Sequence, residues 1–207
     1  HLLKTYNNSI VNTSLKTFIN ISNWSRFFIY ELIPDIEHIL YIDLDILFNE
    51  SIIKLVEDKP IDEIIGVIPY KKETISKRKA FINKNFTKDV IKQFNFNMED
   101  FNQRSYNCGV IYYNLKLWKK NNLTNKIIKL IKYIIKTKKP LFFSGTEIIQ
   151  NIIVPKYKIY HKKYNQITPK TRTIYSNKKF VIAHYKGYKK HWINKFYLEK
   201  YNEIMSK

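Results

Sequence analysis

Cysteine and glycine are scarce in this chain of 207 residues, which has one cysteine, Cys108, and four glycines. A single thiol excludes an intramolecular disulfide framework and a thiolate-rich zinc site, and it makes a reducing, cytoplasmic setting the default. Four glycines leave little material for a Gly-rich phosphate loop, and no such loop is found. No apolar run reaches the roughly eighteen residues needed to cross a bilayer. The opening His1-Leu2-Leu3-Lys4 has no hydrophobic core of a secretory signal. Arginine is also rare: Arg26, Arg78, Arg104 and Arg172 are the four among 37 basic residues. That scarcity counts against a sequence-reading nucleic-acid module, because arginine is the usual base-reading and phosphate-forking side chain.

The residues present suit one buried core. Hydrophobic residues make up 44% of the chain and aromatics 15%, and the length fits a single domain spanning 1–207. The formal charge of +20 is open to three partners: nucleic acid, anionic lipid or phosphorylated ligands. The excess is mostly lysine and comes with abundant Ile and Asn, the pattern that codon bias in an AT-rich genome produces. Charge alone therefore selects no partner. Its densest basic and aromatic stretch is 186–207, with Tyr188, Lys189, Lys190, His191, Trp192, Lys195, Phe196 and Tyr197. Such a stretch can lie on an anionic membrane surface, which suits peripheral association.

Along the chain, Trp24, Phe27, Phe28 and Leu32 fall at helical spacing, and Pro34 ends the pattern. Ile39 to Phe48 is an almost continuous apolar run broken only by Asp43 and Asp45, which predicts a strand buried on both faces. Further strands are expected at Ile64–Pro69, Cys108–Tyr113 and Phe180–His184. One or two short helices are expected within 70–105, a longer one around Ile127–Ile135, and another at Glu147–Val154. The alternation of apolar strands with helices indicates an α/β fold, a Rossmann-like, mostly parallel sheet with flanking helices.

Asp43 and Asp45 carry the first chemical signal. In extended backbone, residues two apart point to one side, and two carboxylates there are costly unless a positive group meets them. A divalent cation such as Mg²⁺ or Mn²⁺ meets that need and can bridge carboxylates to substrate phosphates. The alternative is a strand that ends at Leu44, leaving both aspartates solvated.

Four blocks in order resemble glycosyltransferase family 8, the glycogenin-like and bacterial lipopolysaccharide glucosyl- and galactosyltransferases, over roughly residues 22–192. The first is Asn23-Trp24-Ser25-Arg26 through Leu32-Ile33-Pro34 into Ile39-Leu40-Tyr41-Ile42-Asp43-Leu44-Asp45. The second is Tyr106-Asn107-Cys108-Gly109-Val110 with Asn114-Leu115 and Trp118. The third is Gly145 to Asn151, and the fourth is His184-Tyr185-Lys186-Gly187 with Lys190 and Trp192.

The resemblance implies a nucleotide-diphospho-sugar transferase fold and a set of roles. Asp43, Asp45 and His184 would hold Mn²⁺ or Mg²⁺. Gly187 and Lys190 would meet the diphosphate, and Arg26 would contribute near the donor, with a helix-surface salt bridge as its other reading. Asn107 would face the donor sugar or acceptor, Trp118 would pack in the core, and Cys108 would be a buried small residue. The implied reaction is retaining transfer of glucose or galactose from a UDP-sugar to a glycan acceptor, lipopolysaccharide or another surface polysaccharide.

The chain departs from the family pattern in two places. Gly145-Thr146-Glu147 stands where the family has Asp-Gln-Asp, so Glu147 would replace the first carboxylate only with a shifted loop. His191 stands where the family has proline. Only about forty residues precede Asp43, and the first is His1, so a domain lacking its amino-terminal strand-helix-strand unit is expected. A basic nucleic-acid-binding module and a catalytically degenerate transferase fold are the rival readings.

Overall fold

The structure is a computed structural model that describes residues 21–74, 88–137, 146–167 and 180–185, with 202 and 206. The expectations for Gly145, Gly187, Lys190 and nearly all of 186–207 concern residues outside that set. Within it, a 3-10 helix over Ile21–Phe28 runs into α1 (Ile29–Leu32) and then β1 (His38–Ile42) and β2 (Ile46–Phe48). After these come α2 (Ile53–Glu57), β3 (Ile65–Thr74), α3 (Lys88–Gln93), a 3-10 turn at Met98–Asn102 and β4 (Arg104–Asn114). The order closes with α4 (Leu115–Lys120), α5 (Leu123–Thr137), α6 (Thr146–Ile153), β5 (Lys158–Ile159), a 3-10 turn at Lys162–Tyr164, β6 (Gln166–Ile167) and β7 (Ile182–His184). Among the described residues no helix is long and apolar enough to cross a membrane.

β4 organises the molecule. Every residue after Arg104 in it is buried, because layers cover both of its faces. Tyr106, Cys108, Ile111 and Tyr113 join the larger core with Trp24, Phe27, Trp118 and the buried residues of α5 and α6. Val110 and Tyr112 join a second cluster with Leu55, Ile68, Tyr160 and Tyr164. The residues facing the larger core thus change from even to odd numbers between Cys108 and Ile111. The pairing with β3 shows why: Val67 lies opposite Ile111 but Pro69 opposite Tyr106, so β4 carries extra residues there. A bulge re-aims the side chains it contains, and Asn107 and Gly109 sit inside this one.

The layering is α/β, with helices flanking two mixed sheets ordered β1-β4-β3-β5 and β2-β7-β6. The expectation of a mostly parallel sheet is corrected. β4 runs antiparallel to both β1 and β3, and β2 antiparallel to β7; β3–β5 and β6–β7 are the parallel pairs. A strand covered on both faces is apolar whichever way its neighbours run, so composition does not report direction. A second correction concerns Ile39–Phe48, which is two strands in two different sheets. β1 is half-buried along its length rather than fully buried.

The helices hold their expected places. In α5, Leu123, Ile127, Leu130 and Ile131 are buried at spacings of three and four. Asn114 caps α4 by accepting from Leu117 N at 3.0 Å, and Asn122 takes a left-handed φ of 53° between α4 and α5, which asparagine tolerates well. Trp118, read as core, is buried, and its indole donates to Thr124 Oγ1 at 3.0 Å. Thr124 Oγ1 donates in turn to Phe27 O at 2.9 Å, tying the amino-terminal 3-10 helix to α5.

Candidate metal and nucleotide-sugar site

The crossover between the two sheets makes the site. β1 ends at Ile42, and Asp43-Leu44-Asp45 turns the chain out of one sheet and into the other. Asp43 N donates to Gly109 O at 2.8 Å, so this aspartate leaves the first sheet beside the β4 bulge. Ile46 opens β2 opposite His184, and Tyr185 N donates to Asp45 O at 2.8 Å. Asp45 is thereby brought beside His184. A turn, rather than the pleat of one strand, gathers the two carboxylates. Leu44 between them is 94% exposed, while Asp45 is 8% exposed and His184 2%. The reading of both aspartates as solvated loop residues does not fit this burial.

One oxygen or nitrogen from each of Asp43, Asp45 and His184 lies within 4.8 Å of the others. His184 Nε2 is 3.3 Å from Asp45 Oδ1 and 3.9 Å from Asp43 Oδ2. Two carboxylates at such a separation repel by roughly 3–4 kcal/mol at an effective dielectric of 20. Among the described residues the Arg26 guanidinium is a fixed positive charge that meets Asp43. Carboxylate oxygens and an imidazole nitrogen suit Mn²⁺ or Mg²⁺, so the residues present fit a divalent ion.

Arg26 is buried, at 5% exposure. Its guanidinium donates to Cys108 O at 2.9 Å, to Tyr41 Oη at 3.0 Å and to Asp43 Oδ1 at 3.2 Å, and it lies 4.6 Å from the centre of the Tyr41 ring. The helix-surface salt bridge considered for Arg26 is thus an interior one. Tyr41 Oη donates to the same Asp43 oxygen at 2.8 Å. Burial pushes the Tyr41 hydroxyl pKa up, Arg26 opposes this and Asp43 adds to it, so the hydroxyl keeps its proton and stays a donor. Two donors on Oδ1 orient Asp43 so that Oδ2 is the atom nearer His184.

On the other side, Asn107 lies in the β4 bulge at 4% exposure. Its Oδ1 accepts from Gly109 N at 2.9 Å, and its Nδ2 donates to Glu147 Oε2 at 2.8 Å. Glu147 lies in the first turn of α6 and is buried as well, with Tyr70 Oη donating to its other oxygen at 3.3 Å. Asn165, in the loop before β6, donates to Asn107 Oδ1 at 3.2 Å and places its own Oδ1 3.0 Å from His184 Nδ1. The structure therefore brings six of the expected site residues together: Asp43, Asp45, His184, Arg26, Asn107 and Glu147. Tyr41, Tyr70 and Asn165 join them without having been assigned roles from the sequence. Tyr41 sits in the first family-like block, but Asn165 lies in a Lys- and Tyr-rich stretch that gives it no distinguishing signal.

Gly109 explains why a glycine follows Asn107 at this spacing. A Cβ there would lie 2.2 Å from His184 Cε1, 2.7 Å from His184 Nδ1 and 2.9 Å from Asn107 Oδ1. The imidazole occupies the space a side chain would need. Cys108, read as a buried small residue, is 3% exposed and contributes its carbonyl to Arg26.

This architecture recurs in galactosyltransferase LgtC, solved in complex with donor and acceptor sugar analogs: TM-score 0.62, 18% identity, 90% of this chain and 66% of that one covered. The fold is accordingly that of the α/β nucleotide-sugar transferases. The profile of glycosyl transferase family 8 matches residues 3–195, and the chain belongs to that family. The lipopolysaccharide 1,2-glucosyltransferase of Escherichia coli is 29% identical over 169 residues, which are 76% of this chain and 45% of that protein. A Haemophilus influenzae protein named only as a glycosyltransferase is 25% identical over 185 residues, 86% of this chain and 51% of its own length. The chain spans about half the length of these curated relatives.

Proposed function

We propose that this chain carries the metal- and diphosphate-binding part of a retaining hexosyltransferase that moves glucose or galactose from a UDP-sugar to a glycan acceptor. The observation that carries the reading is the convergence of Asp43 and Asp45, from the turn between β1 and β2, with His184 of β7 within 4.8 Å. Mn²⁺ or Mg²⁺ held there would supply positive charge to the departing diphosphate.

The protein's own residues do the positioning. Arg26 and Tyr41 hold Asp43 by one oxygen. Asn107 spans from the bulge to Glu147, and Glu147 is the carboxylate set to face the donor sugar. Gly187 and Lys190 are the proposed diphosphate contacts, where a cation favours departure of the nucleotide. The name of one relative, a lipopolysaccharide 1,2-glucosyltransferase, supports a sugar acceptor in a surface glycan. Such an acceptor suits a cytoplasmic protein whose basic stretch at 186–207 rests on an anionic membrane surface.

Titration calorimetry of UDP, UDP-glucose and UDP-galactose with and without Mn²⁺ tests the reading. UDP should bind only with the ion, and the Asp43→Asn/Asp45→Asn variant should not bind it. Equal binding by both proteins would overturn the assignment. In an acceptor assay, Glu147→Gln should keep the fold and lose about 10²-fold in turnover.

A further inference from the structure

We propose that Asn165 is a positioning residue that sets the tautomer of His184, so that Nε2 presents its lone pair to the cation; this rests on the reading of His184 as a metal ligand. The argument is one of hydrogen-bond direction. The backbone N–H of Gly109 can only donate, and it meets Asn107 Oδ1 at 2.9 Å. The Asn107 amide oxygen is therefore on that side, and its Nδ2 faces Glu147 Oε2 at 2.8 Å, where a carboxylate oxygen accepts. Both ends of the Asn107 amide demand the same orientation.

Asn165 lies 3.2 Å from that same Asn107 oxygen and must donate to it through Nδ2. Its Oδ1 is then the atom 3.0 Å from His184 Nδ1. An amide oxygen only accepts, so Nδ1 carries the proton. In the neutral imidazole the other nitrogen, Nε2, has the lone pair. Nε2 is the atom that faces Asp45 Oδ1 at 3.3 Å and Asp43 Oδ2 at 3.9 Å. The chain from Glu147 through Asn107 and Asn165 thus delivers a ligand-ready nitrogen to the two carboxylates.

Burial makes the direction binding. Asn107 is 4% exposed, Asn165 6% and His184 2%, so bulk water does not rescue a reversed amide. Turning either amide over would set two acceptors or two donors face to face in the interior, a costly arrangement. Loss of such a supporting partner typically weakens metal affinity by about 10–100-fold.

Two measurements test the proposal. Long-range ¹H–¹⁵N spectra of the metal-free chain, with His184 assigned by comparison with His184→Gln, should show the proton on Nδ1. A wild-type His184 with Nε2–H and a bare Nδ1 would overturn the proposal, and this readout needs neither metal nor a folded Asn165 variant. Calorimetric titration with Mn²⁺ should show Asn165→Leu weakened about 10–100-fold, while Asn165→Asp, which keeps an acceptor toward Nδ1, retains more affinity than Asn165→Leu. Unchanged affinity in Asn165→Leu, with Asp43→Asn still abolishing binding, would overturn the role of Asn165 alone. If the wild type binds no Mn²⁺, or Asp43→Asn and Asp45→Asn leave binding intact, the metal reading fails and overturns the presentation of Nε2 to a cation, while the spectrum still decides whether Nδ1 carries the proton.

Discussion

The two walls of the Asp43–Asp45–His184 cluster are built from opposite kinds of chemistry. On one side a buried guanidinium and a phenol hold Asp43 by a single oxygen. On the other, two neutral amides hold His184 by a single nitrogen and lead back to Glu147. The charged wall works by attraction, and the 27% exposure of the Asp43 side chain screens part of it. The amide wall works by direction, and its value depends on staying dry. A charge can move by an ångström and still attract, whereas an amide set the wrong way round offers the wrong atom.

Substitutions on the two walls should therefore differ in kind as well as size. The largest effect on stability is expected from Gly109→Ala, because the added carbon would meet both His184 and Asn107 at once. Overpacking of that kind costs about 1–3 kcal/mol, so urea unfolding should shift by that amount. Calorimetry should show Mn²⁺ affinity reduced by about 100-fold or more as His184 is displaced. A stable Gly109→Ala with intact metal binding would break the picture of a tight amide wall.

Asp43→Ala comes next. It removes a partner of the buried Arg26, a loss of about 3–5 kcal/mol for a fully buried pair. Exposure of Asp43 and the remaining bond to Cys108 O lower the expectation to about 2 kcal/mol, read from the urea midpoint. Tyr41→Phe keeps the ring over Arg26 and removes one donor from Asp43, so a cost of about 1 kcal/mol is expected. That change should affect Mn²⁺ affinity less than Asn165→Leu does, and the reverse order would mean that the charged wall is the one that sets the metal. Lys116→Ala, in an exposed pair with Glu37 at 3.3 Å, should fall within about 0.5 kcal/mol of wild type and supplies the baseline.

Several of these features were legible from local pattern. Residues that pack at three and four along α5, an apolar run over β4, and Pro34 after the first helix each report a local period or a local stop. The strands β2, β5 and β6 were harder to see. Lys158–Ile159 and Gln166–Ile167 are two residues each, too short to show any alternation. β2 read as the continuation of β1 because the turn at Asp43–Asp45 contains neither glycine nor proline. The β4 bulge was equally hidden, since Asn107-Cys108-Gly109 reads as part of an ordinary strand until its partner Pro69 is located.

Asp43 and Asp45 could be singled out from their spacing, because carboxylates are rare within an apolar run, and His184 from the family resemblance. Strand existence, helix faces and the α/β class follow from the same local rules. Which way the strands run, where β1 ends, and how Arg26 turns inward were decided by tertiary structure. So was the orientation of Asn107 and Asn165, because a hydrogen bond's direction is set by the atom across from it, and those atoms come from segments 40 and 58 residues away in the chain.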